Sequence, residues 1–362
     1  MIALFTRIDT VAVSVAMAVA AFALTTAAAL FILVYLFSVL AGEIYDFGVT
    51  IRQTQNRNNA LPMSGVDPDL SVIVIPLIGR DVLTHCLDRL PLGSVECIVV
   101  LRKAMGATTS WERRYPLVTF LSAADELVPV RRQCGIGAAT GDIVALIEDT
   151  SWPDEGWCAA ARSAFLEVQT AAAGGAVRIA ATLPSRYQAL GWCEYGAFAP
   201  KPATQTDRLV RAYRVPGNNM AFRRVELIEV MRGEDNGLLE GHVCDRLLDN
   251  GRRVVYQPRM SVTYAACDRH NAALATRLHH GRIYAAAQVR GRPWPWRLAH
   301  VAKAPFLPLV LTLRRMVSMA GSNRLPARLW VLFWIALMES AWALGEAIGG
   351  LAGEGKSMNE WR

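Results

Sequence analysis

The chain has 362 residues, 53% of them hydrophobic, with a mean hydropathy of +0.24 and a formal net charge of +7. That composition is too apolar for an ordinary soluble enzyme and places part of the chain in a membrane. The positive charge suits anionic lipid headgroups and phosphate-bearing substrates, and the absence of any basic, aromatic-interleaved segment excludes nucleic acid as a partner.

Residues 11–41 are free of charge, broken only by Ser14, Thr25, Thr26 and Ser38, and exceed the roughly 20 residues that a membrane-crossing helix needs. Residues 1–45 are therefore expected to form an N-terminal transmembrane helix. Arg52 and Arg57 follow it while Arg7 is offset by Asp9, so the positive-inside bias puts the rest of the chain on the cytoplasmic side of the inner membrane. Residues 46–69, rich in Asn and Pro, read as a linker.

An α/β domain is expected over residues 70–270. LSVIVIPLIG, VECIVVL (95–101) and DIVALI (142–147) are β-branched runs of the kind buried in a parallel sheet, and AAARSAFLEV (159–168) has helical character. Seven cysteines (Cys86, Cys97, Cys134, Cys158, Cys193, Cys244, Cys267) lie scattered, with no C-x-x-C pair. Such spacing serves neither zinc nor a disulfide framework and agrees with a reducing compartment.

Residues 271–297 form a basic juxtamembrane segment containing RLHHGRIYAA (277–286), where the adjacent His279 and His280 cannot share one helical face as a metal pair. Residues 298–353 read as membrane-associated. Lys303, Pro305 and Pro308 mark 298–313 as amphipathic or re-entrant, since a crossing there would leave Arg314, Arg315, Arg324 and Arg328 outside. Residues 329–353 are expected to be a second span, with Glu339 turned toward protein or the interface. Trp294, Trp296, Trp330 and Trp334 suit interface anchors.

The chemistry concentrates in VALIEDTSWPDEGW (144–157). A parallel strand that ends in Glu148 and Asp149 delivers both carboxylates to the carboxyl edge of the sheet, where open α/β folds bind ligands. Oxygens so placed suit Mg²⁺ or Mn²⁺ held together with substrate phosphates, although acids at a strand end also occur as solvated decoration. GIGAATG (135–141) is not a dinucleotide fingerprint: the preceding PVRRQ is no strand, and the glycine spacing is wrong. Arg131 and Arg132 instead start a helix that packs through small residues. Trp152 and Trp157 suit either sugar stacking or the core.

Three blocks in order, RRQCGIGAATGDIVALIEDTSWPDEGW, VPGNNMAFRR (215–224) and LLEGHVCDRLLDNGRRVVYQP (238–258), resemble the inverting family-2 glycosyltransferases, of a membrane-anchored bacterial type. The resemblance spans roughly residues 70–265. It implies a GT-A, Rossmann-like nucleotide-sugar-binding domain, here between N-terminal and C-terminal membrane helices. It also implies transfer of a sugar from a nucleotide-sugar donor to a membrane lipid or lipid-linked saccharide, in polysaccharide or glycolipid synthesis.

Carried over by position, the family's Asp-x-Asp element falls on Glu148, Asp149 and Thr150. These would contact the donor, with Mg²⁺ or Mn²⁺ on Asp149 or Glu148, because Thr150 replaces the usual metal-binding Asp. Arg131 and Arg132 would stabilise the diphosphate, Asn218, Asn219, Arg223 and Arg224 the acceptor, and Glu240 would be the catalytic base, with Leu239 in place of a preceding acid. The chain departs from the family pattern at IPLIGRD (75–81), which has Gly79 and Arg80 and an Asp81 able to compensate. It departs again at VVLRKAMG (99–106), which lacks the family's nucleobase-binding acid. These departures define an alternative, a catalytically degenerate binding or assembly subunit. The family's Gln-x-x-Arg-Trp segment is absent, which implies single rather than processive transfer.

Overall fold

The computed structural model describes residues 69–105, 109–123, 126–200, 209–232, 237–265, 273–319 and 325–360. The expected N-terminal helix (1–45) and all but the last residue of the linker (46–69) lie outside them. The described residues fall into two compact units, the first ending at residue 265 and the second beginning at 273.

The first unit runs β1 (Leu70–Ile75), α1 (Arg80–Leu87), β2 (Glu96–Leu101), α2 (Thr109–Arg114), β3 (Val118–Ser122), α3 (Val128–Ala138) and β4 (Ile143–Glu148). It continues with β5 (Ser151–Pro153), α4 (Trp157–Ser163), β6 (Thr170–Ile179), α5 (Ser185–Tyr195), β7 (Val210–Ala212), β8 (Asn219–Arg223), α6 (Arg224–Met231), α7 (Glu240–Asp249) and β9 (Arg253–Tyr264). The described strands make one sheet in the order β3-β2-β1-β4-β8-β6-β9-β5, with β7 on β9.

β1, β2, β3 and β4 are parallel neighbours, and β1 and β4 are buried along their whole length. Being covered on both faces is why these strands read as continuous apolar runs rather than alternating ones. One face carries a core around Val72, Val74, Leu83, Leu87, Val99 and Phe165; the other packs Ile73, Ile75, Val144 and Leu146 against Ile136 and Phe222. Helix α4 begins two residues earlier than the sequence suggested and ends at Ser163, after which Ala164 and Phe165 turn into the core. The antiparallel insertion of β8 between β4 and β6 has no local signal, because its pairing partners lie more than 40 residues away.

The second unit contains α8 (Ala273–Val289), α9 (Trp294–Ala302), α10 (Leu307–Met319) and α11 (Leu325–Ala352). The segment expected to be amphipathic is broken into α9 and α10 by a 3₁₀ turn at Ala304–Phe306, where Pro305 and Pro308 interrupt the helical bonding. Among the described residues, one helix is long and apolar enough to cross a membrane, over Leu329–Ala352. Glu339 is fully buried there and accepts from Arg277 Nη2 (2.7 Å) and Arg315 Nε (3.2 Å), so it faces protein as expected. Gly281, Gly345 and Gly349 let α8 and α11 approach so closely that a Cβ at any of them would strike backbone of the opposite helix.

Candidate functional site at the carboxyl edge of the sheet

Parallel strands β1 and β4 end side by side, Ile75 opposite Glu148, so the loop after β1 and the acids after β4 share one edge. Asp149 is fully buried, and its carboxylate accepts from the backbone N–H groups of Leu77 (2.8 Å), Ile78 (3.1 Å) and Gly79 (2.6 Å). The loop can curl round the acid because Gly79 takes φ +73°. Burial pushes the Asp149 carboxyl up to about 6, against the three amides that favour its ionised form.

The second element of the site is a shared guanidinium. Arg132, buried in α3, donates from Nη2 to Glu148 Oε1 (3.2 Å) and to the Gly217 carbonyl (2.8 Å), and from Nη1 to Glu240 Oε2 (2.9 Å). Glu240 is the first residue of α7, and its side chain remains 25% exposed, whereas Glu148 is enclosed. A Cβ on Gly217 would lie 2.8 Å from Glu240 Oε1 and 3.1 Å from Arg132 Nη2, so any larger residue would push the tip of Glu240 from its place. Burial raises the Glu148 carboxyl, with Arg132 opposing. Tyr195 of α5 adds a long hydrogen bond to Glu148 Oε2 (3.4 Å), and burial, then the Glu148 charge, hold its phenol well above its ordinary value.

Arg131 lies beneath the β1 loop, donating from Nη1 to the Pro76 carbonyl (2.7 Å) and from Nε to the Glu126 carbonyl (3.2 Å). Its Nη2 is buried without a hydrogen-bond partner. Burial, then neighbouring Arg102, bring its guanidinium down to about 10. Arg102, just past β2, donates to the Leu77 carbonyl (3.0 Å). Sequence reasoning passed over Arg102, reading its segment only for a missing acid; a cation directly after a parallel strand was the usable signal. For Tyr195 no comparable signal exists, since nothing in WCEYGAF points at an acid 47 residues earlier.

The acceptor set expected from the sequence is not brought together. Asn218 reaches this edge, donating to Ser151 Oγ (2.7 Å) while its Oδ1 stays buried without a partner, as does the Thr150 hydroxyl. Asn219 instead ties the core, donating to the Ala176 (3.0 Å) and Met260 (2.7 Å) carbonyls and accepting from Trp157 Nε1 (2.8 Å). Arg223 and Arg224 lie at the opposite edge: antiparallel β8 sets Asn219 against Ile147 but Arg223 against Ile143, about 13 Å down the strand at the usual rise per residue. There Arg223 donates to the Phe165 carbonyl (2.9 Å) and Arg224 to the Gly141 carbonyl (2.9 Å). Trp157 is core, and Trp152 packs beside His85 with the Arg89 guanidinium 4.6 Å from its ring centre.

The residues present do not by themselves make a cage for a divalent cation, which would need the donor's phosphates as further ligands. Asp149 spends its oxygens on backbone amides, Glu148 gives one oxygen to Arg132, and among the described residues no three His, Cys, Asp or Glu side chains gather as a ligand set. Three guanidiniums, not a pair of free carboxylates, dominate this edge.

No family model matches the sequence, and no curated protein matches it. Among solved structures, the mannosyltransferase PcManGT from Pyrobaculum calidifontis, in complex with GDP-Man and Mn²⁺, is similar with a TM-score of 0.50 at 19% identity, over 82% of this chain and 91% of that one. GalNAc-T7 with UDP, GalNAc and Mn²⁺ matches with a TM-score of 0.45 at 12% identity, over 56% of this chain and 44% of its own. The mixed α/β fold built on this central sheet is thus one the chain shares with the mannosyltransferase, a glycosyltransferase fold of the GT-A type.

Proposed function

We propose that the chain is an inverting, family-2-like glycosyltransferase that moves a sugar from a nucleotide-sugar donor to a lipid or lipid-linked saccharide at the cytoplasmic face of the inner membrane, in polysaccharide or glycolipid synthesis. One observation carries the reading. Glu240, the half-open carboxylate, and Glu148, the enclosed one, come from elements 92 residues apart in sequence and are joined by Arg132 at the ligand edge of a sheet shared with a mannosyltransferase.

In an inverting displacement the acceptor hydroxyl attacks the anomeric carbon as the nucleoside diphosphate departs. Glu240 has the exposure to accept the hydroxyl proton, a role worth about 10²–10⁴-fold in rate. Arg132, and Arg131 through its unpartnered Nη2, are the groups here able to meet charge growing on the diphosphate. Glu148 holds Arg132 in place for both partners. The long apolar helix over Leu329–Ala352 supports a membrane-borne acceptor. Mg²⁺ or Mn²⁺ dependence is a separate question, decided by the same assay.

The test is donor turnover with a panel of nucleotide sugars in native membranes, with and without Mg²⁺ or Mn²⁺, for the native chain and Glu240→Gln. Turnover that collapses in the variant supports the reading. Nucleotide binding without turnover of any donor establishes the alternative, a non-catalytic binding or assembly subunit, which the diversion of Asp149 to backbone amides favours.

A further inference from the structure

The surroundings of α11 argue against its crossing a bilayer. Helix α8 runs parallel beside it: Arg277 meets Glu339, Gly281 lies against Trp342, Gly349 against Arg282, and Arg282 Nε donates to the Gly353 carbonyl (2.8 Å). Helix α8 therefore begins level with the middle of residues 329–352 and carries Arg277, His279, His280 and Arg282 beside the half that a crossing would sink into lipid. Past Ala352 the chain stays on α8, with Ser357 Oγ 3.0 Å from His279 Nδ1 and Glu354 paired with Arg290. Charged and imidazole side chains of this density belong outside the hydrocarbon.

The other side of α11 is apolar and uncovered. Trp330, Phe333, Leu337, Leu344 and Leu351 are all exposed. Their steps of three, four, seven and seven residues keep them in one narrow sector of a 3.6-residue helix, opposite the buried Glu339 and Glu346. On α9, Trp294 and Trp296 are exposed too, Arg292 stands 5.6 Å from the Trp296 ring centre, and Arg297, Lys303 and Arg314 follow. An apolar stripe on one side of α11, with Arg292, Arg297 and Lys303 on or beside α9, which packs against the Glu346 side, matches the chemistry of an anionic membrane surface.

We propose that α11 lies in the plane of a membrane interface, its Trp330-to-Leu351 stripe in the acyl boundary and the basic residues of α9 and α10 on anionic headgroups, and does not span the bilayer. The occupant of the exposed stripe is lipid. This inference goes beyond the proposed reaction and does not depend on turnover.

The full chain, carrying a protease-cleavable C-terminal tag, is reconstituted into sealed vesicles of phosphatidylcholine and phosphatidylglycerol. Added protease is expected to remove the tag from the same molecules whose residues 70–265 it digests. A tag cut only where those residues are protected shows a span and overturns the proposal. In parallel, tryptophan emission is read with lipids brominated near the headgroup or deep in the chain. Stronger quenching by the shallow bromines, reduced in Trp330→Phe and Trp294→Phe, is expected. Stronger quenching by the deep bromines, or quenching that neither variant changes, overturns the proposal even where the tag is cut on the same side. Donor turnover measured on the same vesicles reports separately on the proposed reaction.

Discussion

The two units each bury a three-membered ionic cluster, with opposite composition. At the edge of the sheet, one guanidinium, Arg132, lies between two carboxylates, Glu148 and Glu240; in the helical unit, one carboxylate, Glu339, lies between two guanidiniums, Arg277 and Arg315. The helical cluster is closed, with Glu339 wholly inaccessible and the Trp342 ring 4.2 Å from the Arg277 guanidinium. The sheet cluster is closed at Glu148 and open at Glu240. Exposure at one member is what lets the sheet cluster serve the proposed reaction, whereas the helical cluster joins helices.

The largest effect expected is on the open cluster. Glu240→Gln should lower donor turnover by about 10²–10⁴-fold while leaving unfolding nearly unchanged, because the amide still accepts from Arg132. Stability equal to the native chain, together with unchanged turnover, would break the comparison at its central point. Glu339→Gln should do the reverse: Glu148 still balances Arg132 when Glu240 is neutralised, but losing the Glu339 charge leaves the buried Arg277 guanidinium uncompensated, which costs about 3–5 kcal/mol, seen as a lowered denaturant midpoint. Replacing Arg277 and Glu339 together by Met and Leu should recover much of that loss.

Gly217→Ala sharpens the contrast within the site. The added methyl displaces the tip of Glu240 rather than backbone, so turnover should drop about tenfold or more with little change in stability. Arg224→Ala, at the far edge of the sheet, should leave the KM for acceptor unchanged; a raised KM would reinstate that edge as an acceptor surface.

The smallest effect concerns Asp149. Folding raises its carboxyl from 3.8 to about 6, so between those values the folded chain keeps a proton that the unfolded chain has released. The stability this group supplies is present below the lower value and lost as pH rises to the upper one. Unfolding free energy followed across that window should decline less steeply with pH in Asp149→Asn than in the native chain.

What the sequence disclosed follows from the range of the forces involved. Strand runs such as LSVIVI and IVALIE are legible because burial on both faces leaves no alternation to misread, and Glu148 is placed by its position at the end of such a run. Glu240, carried over from the family resemblance, does meet Glu148 through Arg132. The parts that stayed hidden depend on distant pairing. Asn219 and Arg223 sit in one short segment, yet an antiparallel strand sends its two ends to opposite edges of the sheet, and nothing within VPGNNMAFRR reveals that direction. Asp149 carries the composition of a metal ligand, but its partners are amides of a loop some 70 residues earlier, a contact that no local pattern encodes. In the tail, hydropathy alone suggested a span; only the parallel neighbour α8 shows how much charge accompanies it.

The bond from Arg132 to Glu240 joins residues 108 apart, whereas the amides that wrap Asp149 come from residues 70 to 72 earlier. On a ribosome the chain emerges from its amino end, so the Asp149 brace has all its members once α4 is out, while Arg132 waits for nearly eighty further residues to reach Glu240. During that interval Glu148 gains Tyr195 and Arg132 gains the Gly217 carbonyl, but Glu240 is still missing. Glu240 is thus the last of these groups to be synthesised, and a chain stalled before α7 would lack the open carboxylate of the cluster.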